Sequence, residues 1–236
     1  MLNMNRLPAC CTPLQNHWPL PRPIPGAVLV SCAFDPTQLG HDDFARASIE
    51  QTASLQRSVA KRQAEYLAGR VCARAALQHL DGRVYVPGTH EDRSPIWPAG
   101  ISGSITHGKG WAAAVVARQE DCRGLGLDQE SLLSVERATR LAGEILTEAE
   151  LQRMDPQQTG PVVTLTFSLK ESLFKALYPI VLQRFYFEHA EVLEWSADGY
   201  ARLRLLTDLS PQWHHGRELE AQFCLQGEQL LSLVAV

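Results

Sequence analysis

Hydrophobic periodicity alternates between helical and strand-like along this 236-residue chain, and that repeated order most limits the folds open to it. Between Ser58 and Leu80, Ala64, Leu67, Ala68, Val71 and Ala75 recur at three- and four-residue spacing, which makes one apolar stripe of a helix. "GAVLVSCAF" (26–34) is short, apolar and Val-containing, a buried strand stopped by Asp35-Pro36, and Trp111 to Ala117 reads the same way. A second helical pattern starts at Glu136, and Thr147 with Glu150 three residues on is the capping-box signature of another helix. "PVVTLTFS" (161–168) fits either a short strand or the lead into the helix that follows. "RFYFEHAEVLEW", "YARLRLL", "LEAQFCL" and "QLLSLVAV" alternate as strands do and are rich in β-formers. The expectation is an α+β protein of two comparable halves, residues 1–133 and 134–236, each with helices followed by strands.

Pro8, Pro13, Pro19, Pro21, Pro23 and Pro25 crowd residues 1–26 and remove backbone donors, so this stretch reads as an extended leader that drapes or frays. A 45% hydrophobic content with 20% charged residues supports a sizeable core. The net charge of −4 argues against nucleic-acid binding by general phosphate attraction, so any anionic ligand must be met by local positive charge. Cys10, Cys11, Cys32, Cys72, Cys122 and Cys224 contain no CxxC pair, and the start lacks an uninterrupted apolar signal stretch; they read as free thiols of a cytoplasmic protein. No apolar run approaches the roughly 20 residues that a transmembrane helix requires.

Two short segments carry the candidate chemistry. In "GLGLDQE" (124–130) strand alternation puts Leu125, Leu127 and Gln129 on one face and Gly126, Asp128 and Glu130 on the other, so two carboxylates share a side. In "FSLKESLFKALYP" (167–179) a helical projection gathers Ser168, Glu171, Ser172 and Lys175 on one polar arc opposite Leu169, Leu173, Phe174, Ala176 and Leu177. Only Lys170 is out of place. Glu171 and Lys175 alone would pass as a solvated i, i+4 pair worth ~0.2–0.5 kcal/mol. Added to Asp128 and Glu130, however, Glu171 makes a third carboxylate that can converge with them into a hard oxygen site of the kind Mg²⁺ prefers. Arg70, Arg74, Arg93, Lys109 and Lys175 can supply the counter-charge for a phosphate. The parts suit phosphoryl-type chemistry, in which a metal polarises the phosphate and a lysine steadies the leaving oxygen.

"GSITH" (103–107), "GLGLDQE" and "FSLKESLFKA" (167–176), in this order and spacing, resemble the 4′-phosphopantetheinyl transferases of the surfactin-synthetase type. "KRQAEYLAGRVCAR" and "RSPIWPAGISGSITH" look most like the enterobactin-synthetase component D branch. The resemblance runs from about Lys61 to Pro179. It implies a pseudo-dimer of two similar α+β halves with the nucleotide between them. It also implies transfer of phosphopantetheine from coenzyme A to a serine of an apo acyl or peptidyl carrier protein, with release of adenosine 3′,5′-bisphosphate. Mg²⁺ is the implied cofactor, with Mn²⁺ as the alternative, and the implied form is a cytoplasmic monomer.

Carried over by position, Asp128, Glu130 and Glu171 resemble the metal ligands, and Glu171 the general base as well. Lys175 looks like the cation beside the coenzyme A pyrophosphate. Thr106 and His107 look like a phosphate-contacting pair, and Arg70 and Arg93 like basic residues on the nucleotide side, its 3′-phosphate included. Arg74, Lys109 and Lys170 complete the candidate ligand-binding set. Two positions depart from the family: Gln129 stands where an aliphatic residue is general, so a partly buried amide needs partners there, and Thr106 replaces the commoner serine. The competing readings are a non-catalytic coenzyme A or carrier-binding protein, which loss of a metal carboxylate would favour, and another Mg²⁺-dependent phosphoryl enzyme. A GxxxxGK[ST] loop is absent from the sequence, which counts against the common nucleoside-triphosphatase version of the latter.

Overall fold

A computed structural model describes residues 7–236, so the first six residues of the proline-rich leader lie outside the described residues. Chain contacts divide the molecule into two units, one comprising residues up to Trp18 and Gly26–Asp121, the other Pro19–Pro25 and Cys122–Val236.

In the first unit the elements run β1 (Gln15–Asn16), β2 (Val28–Ala33), α1 (Asp43–Arg46), α2 (Ala53–Gln56), α3 (Ala60–Asp81), β3 (Gly88–Thr89), β4 (Pro95–Ile96), β5 (Ile101–Gly108) and β6 (Trp111–Arg118). β1, β2, β6 and β5 form an antiparallel sheet in that order, and α3 packs across it. The leader is therefore anchored where Gln15 and Asn16 pair with Ser31 and Val30, instead of fraying there. Ala64, Leu67, Ala68 and Val71 of the expected stripe are buried with Cys32, Phe34, Ala112 and Ala114. The helix ends where Gly82 adopts a left-handed φ of 79° and its N–H reaches the Gln78 carbonyl, a conformation that favours glycine.

In the second unit β7 (Leu125–Ser131) is followed by α4 (Val135–Ile145), α5 (Glu148–Arg153), α6 (Thr159–Val181), β8 (Ala190–Trp195), β9 (Tyr200–Leu205), β10 (Glu218–Gln226) and β11 (Gln229–Ala235). The strands form an antiparallel sheet in the order β7-β11-β10-β9-β8. One face of α6, through Leu165, Leu169, Leu173 and Leu177 at four-residue intervals, packs with Leu203, Leu205, Leu219, Phe223 and Val234 of the sheet. The fold is α+β, with a helix on a sheet in each unit.

Several expectations shift. The boundary expected after residue 133 would leave "GLGLDQE" in the first half; its ladder with β11, Asp128 opposite Ser232, puts it in the second unit. "PVVTLTFS" is helical throughout, the first turns of α6. "RFYFEH" is not strand: a 3₁₀ turn occupies Phe187–His189 and pairing begins at Ala190. The Thr147/Glu150 capping box is formed, with Glu150 N–H donating to Thr147 Oγ1 at 3.2 Å and Thr147 N–H to Glu150 Oε2 at 2.7 Å. None of the six cysteines is in a disulfide, and among the described residues no helix is long and apolar enough to cross a membrane.

Candidate active site

In the second unit, glycine builds the site. A Cβ at Gly126 would lie 1.7 Å from the Ser172 carbonyl oxygen, and one at Gly124 would lie 2.3 Å from that of Ala176. Helix α6 therefore lies against the bare backbone of this segment. Because alternate residues share a face, the side of β7 that carries Gly126 also carries Asp128 and Glu130, and both carboxylates rise beside α6. The polar arc of α6 is thus a contact surface, and Ser168 and Ser172 are fully buried in it.

Asp128 is held by both oxygens. Lys175 Nζ donates to Oδ1 at 2.6 Å and to the Leu127 carbonyl at 3.2 Å, while Ser168 Oγ donates to Oδ2 at 2.9 Å. Ser232 Oγ on β11 lies 2.7 Å from Ser168 Oγ and 2.8 Å from Ser172 Oγ, and Ser172 Oγ lies 3.1 Å from the Ser232 carbonyl. With one hydrogen per hydroxyl, Ser168 donating to Asp128 leaves Ser232 to donate to a serine oxygen, so three buried serines orient one carboxylate. Ser232 escaped the sequence reading because only strand register brings it opposite Asp128.

Among the described residues, the other two carboxylates have no such close cationic partner. Burial pushes Glu130 up to about 7; the negative charge of Asp128 adds to this, Lys175 opposes it, and Glu171 and Arg137 act more weakly in opposite senses. Glu171 is also raised, by burial first, with Lys175 pulling down and Asp128 pushing up. Among the described residues no three His, Cys, Asp or Glu side chains close into a metal-holding group. The Lys175 ammonium supplies positive charge directly at Asp128. Hard oxygen donors crowded by burial and like charge nonetheless fit a divalent cation in their chemistry.

Lys170 corrects an expectation. It is 3% exposed, and its ammonium donates to Glu150 Oε2 at 2.7 Å, the Ile145 carbonyl at 2.8 Å and the Phe187 carbonyl at 3.0 Å. All three N–H donors are engaged within the protein, so none remains for a phosphate. Gln129, also buried, donates from Nε2 to Gln229 Oε1, which gives the amide nitrogen a partner at that position. A cavity of 170 Å³ opens beside Glu171, lined by Phe174, Arg184, Phe185 and Tyr186 among others.

The first unit holds a separate, larger cavity of 570 Å³ whose lining includes Arg62, Tyr66, Arg70, His90, Arg93 and His107. Arg70, although 6% exposed, donates to Thr89 Oγ1 at 2.8 Å and the Gly88 carbonyl at 3.1 Å, with its guanidinium 4.6 Å from the centre of the Tyr66 ring. Burial lowers its pKa, an effect partly offset by Tyr66. Arg62 Nη1 lies 2.9 Å from His107 Nε2; since guanidinium only donates, Nε2 accepts and Nδ1 carries the proton, 3.7 Å from Glu65. Arg93 lines the same cavity from a residue at φ 74°. Arg62 and Tyr66 precede Arg70 by two turns and one turn of α3, a four-residue spacing that was readable in the sequence.

Other expected residues go elsewhere. Thr106 is buried, its side chain on the opposite face of β5 from His107, and it is not part of the cavity lining; the expected pair is split. Arg74 is buried one turn beyond Arg70, where it donates to the Ala47 carbonyl, outside the cavity lining. Lys109 is exposed in the β5–β6 turn and is also outside that lining.

The comparisons with known proteins agree with the division of the chain. Residues 50–117 match the 4′-phosphopantetheinyl transferase N-terminal domain, and residues 124–231 match the 4′-phosphopantetheinyl transferase superfamily. Enterobactin synthase component D of Escherichia coli K12 is 39% identical over 156 residues, covering 65% of this chain and 72% of that protein. The chain belongs to the 4′-phosphopantetheinyl transferase superfamily. The Salmonella typhi enterobactin synthase component D is 37% identical over 165 residues, 69% of this chain and 67% of the relative. The 4′-phosphopantetheinyl transferase Svp of Streptomyces mobaraensis is 35% identical over 165 residues, 66% of this chain and 65% of the relative. This transferase therefore stands in the component D branch and is an enzyme, which sets aside the binding-protein alternative.

Proposed function

We propose that this transferase takes 4′-phosphopantetheine from coenzyme A and attaches it to a serine hydroxyl of an apo carrier protein, releasing adenosine 3′,5′-bisphosphate. The observation that carries the reading is Glu171, a carboxylate raised by burial beside Lys175 and Asp128, on a helix fixed to the strand bearing Asp128 and Glu130. Glu171 takes the serine proton. The serine oxygen bonds to the phosphorus bearing pantetheine, and the bond from that phosphorus to the bridging oxygen breaks, its electron pair leaving with the bisphosphate. Lys175 offsets charge on the departing group. Asp128, Glu130 and Glu171 would hold Mg²⁺, or Mn²⁺ in its place, which when bound polarises the diphosphate. Arg70, Arg93 and His107 serve the 3′-phosphorylated nucleotide.

The names of the relatives support carriers of siderophore and nonribosomal peptide assembly, with fatty-acid acyl carriers as further substrates. The enzyme acts in the cytoplasm as a monomer.

The test is incubation of the full chain with coenzyme A, Mg²⁺ and a panel of apo carriers, read by mass spectrometry. One added pantetheine arm per acceptor serine is expected, with the reaction abolished by chelator and restored by Mg²⁺. Unmodified carriers across the panel would refute the reading. Replacing Arg70 by Ala should raise the KM for coenzyme A about ten- to a hundredfold, the scale of lost hydrogen bonds to a charged group. If Arg70 serves the 3′-phosphate, the same variant handles 3′-dephospho-coenzyme A like the parent; equal weakening toward both substrates would place its role elsewhere.

A further inference from the structure

Lys170 is a long cation buried next to the base, and its partners come from three separate segments. Ile145 ends α4, Glu150 lies in the first turn of α5, and Phe187 belongs to the turn between α6 and β8. Through Glu150 the contact continues: Oε1 accepts the Val192 N–H at 2.6 Å on β8, and Oε2 accepts the Thr147 N–H as well as Lys170. Arg153, at the far end of α5, donates to the Val192 carbonyl and, at 2.7 Å, to Glu191 Oε1, so both ends of α5 are strapped to one point of β8. Arg204 donates to the other Glu191 oxygen at 2.8 Å. Lys170 is the residue of α6 whose ammonium joins that assembly.

The assembly borders the cavity beside Glu171. Lys170, Glu171 and Phe174 of α6 line it on one side, and Arg184, Phe185, Tyr186 and Phe187 on the other. Consecutive helical residues point about 100° apart, so Lys170 and Glu171 leave the helix in different directions. The bond from Lys170 to the Phe187 carbonyl ties the two walls together. A lysine with all its donors engaged this way is suited to hold neighbouring groups still, not to follow a ligand.

We propose that Lys170 is a positioning residue. It locks the Arg184–Phe187 wall and the start of α5 to α6, and so holds Glu171 at a set place in its cavity without touching coenzyme A. The inference rests on the reading of Glu171 as base, and predicts that Lys170 acts on turnover and not on coenzyme A affinity.

Two experiments test it. The first uses the unaltered enzyme: acylation of amines by an N-hydroxysuccinimide ester, mapped by mass spectrometry with and without coenzyme A. Lys61 and Lys109 should react, while Lys170 stays unmodified in both conditions. Modification of Lys170 in the free enzyme together with protection by coenzyme A would overturn the proposal. This arm needs no activity, so it stays readable should the transferase reading fail.

The second compares Lys170→Met with Lys170→Met/Glu150→Gln. The single change leaves a buried carboxylate unpaired and should lower the melting temperature by about 10 °C or more. The double change removes that charge and should recover at least half of the loss, while the Phe187 and Ile145 carbonyls remain unbound. In the folded double variant kcat should stay at least about tenfold down with the KM for coenzyme A within about twofold, because only placement of the base is lost. A tenfold rise in KM with kcat unchanged would make Lys170 a ligand-binding residue. Wild-type values of both constants would reduce it to a counter-ion for Glu150. Either result sinks the proposal.

Discussion

Substitution of Glu171 by Gln is expected to lower turnover by about a thousandfold while the protein unfolds at or slightly above the parental temperature. The size follows from removing a positioned general base, worth about 10²–10⁴ in rate, and from weakening the same side chain as a metal donor. The unchanged stability follows from sign. Burial and Asp128 raise the folded-state pKa of Glu171 against the pull of Lys175, so ionisation costs stability as pH rises from the unfolded toward the folded pKa, and the full cost is present above both. A neutral amide of the same shape escapes that cost at neutral pH. Single-turnover transfer to an apo carrier, with a melting curve alongside, measures both. Retention of more than about a tenth of the parental rate would falsify the assignment of Glu171 as base.

The second large effect concerns stability. Gly126→Ala would drive a methyl group to 1.7 Å from the Ser172 carbonyl oxygen and 2.7 Å from the Ala176 nitrogen, both backbone atoms of α6 that cannot swing aside as a flexible side chain would. The helix has to leave the strand, taking Lys175 from Asp128 and the serines from Ser232. The cost should reach at least about 3 kcal/mol, beyond ordinary overpacking because backbone must move. Gly143→Ala is the matched control: on the exposed face of α4 its added Cβ meets nothing within 4 Å, so it should stabilise by about 0.5–1 kcal/mol. Thermal or denaturant unfolding separates the two. Equal stability of the Gly126 variant and the parent would show that helix and strand are not in main-chain contact.

The residues that share a face were legible in the sequence; what covers each face was not. Periodicity put Gly126, Asp128 and Glu130 together, and Ser168 with Glu171, Ser172 and Lys175, and both groupings hold. Those four residues look like a solvated stripe because serine, glutamate and lysine usually meet water, yet Ser168, Ser172 and Lys175 reach β7 or β11 where two glycines let the helix close in, and Glu171 borders a cavity. Lys170 was the residue that broke the helical pattern. Its purpose lay with Glu150, twenty positions away, whose capping-box signature was readable but whose second role was not. Arg70 and Arg74 are alike in sequence, four apart on one helix; the Ala47 carbonyl engages the second and leaves the first to the cavity. The boundary near residue 133 was set too late because β7 pairs with a strand about a hundred residues downstream, a contact that no local pattern announces.

Since α6 comes against the bare main chain at Gly124 and Gly126, the spacing between Glu171 and Asp128 is in large part an inheritance of the polypeptide skeleton itself. Engineers could exchange the leucines on the other side of α6 for alternatives suited to heat or cold without retuning the reactive group, provided the two hydrogens standing in for side chains at positions 124 and 126 are left alone.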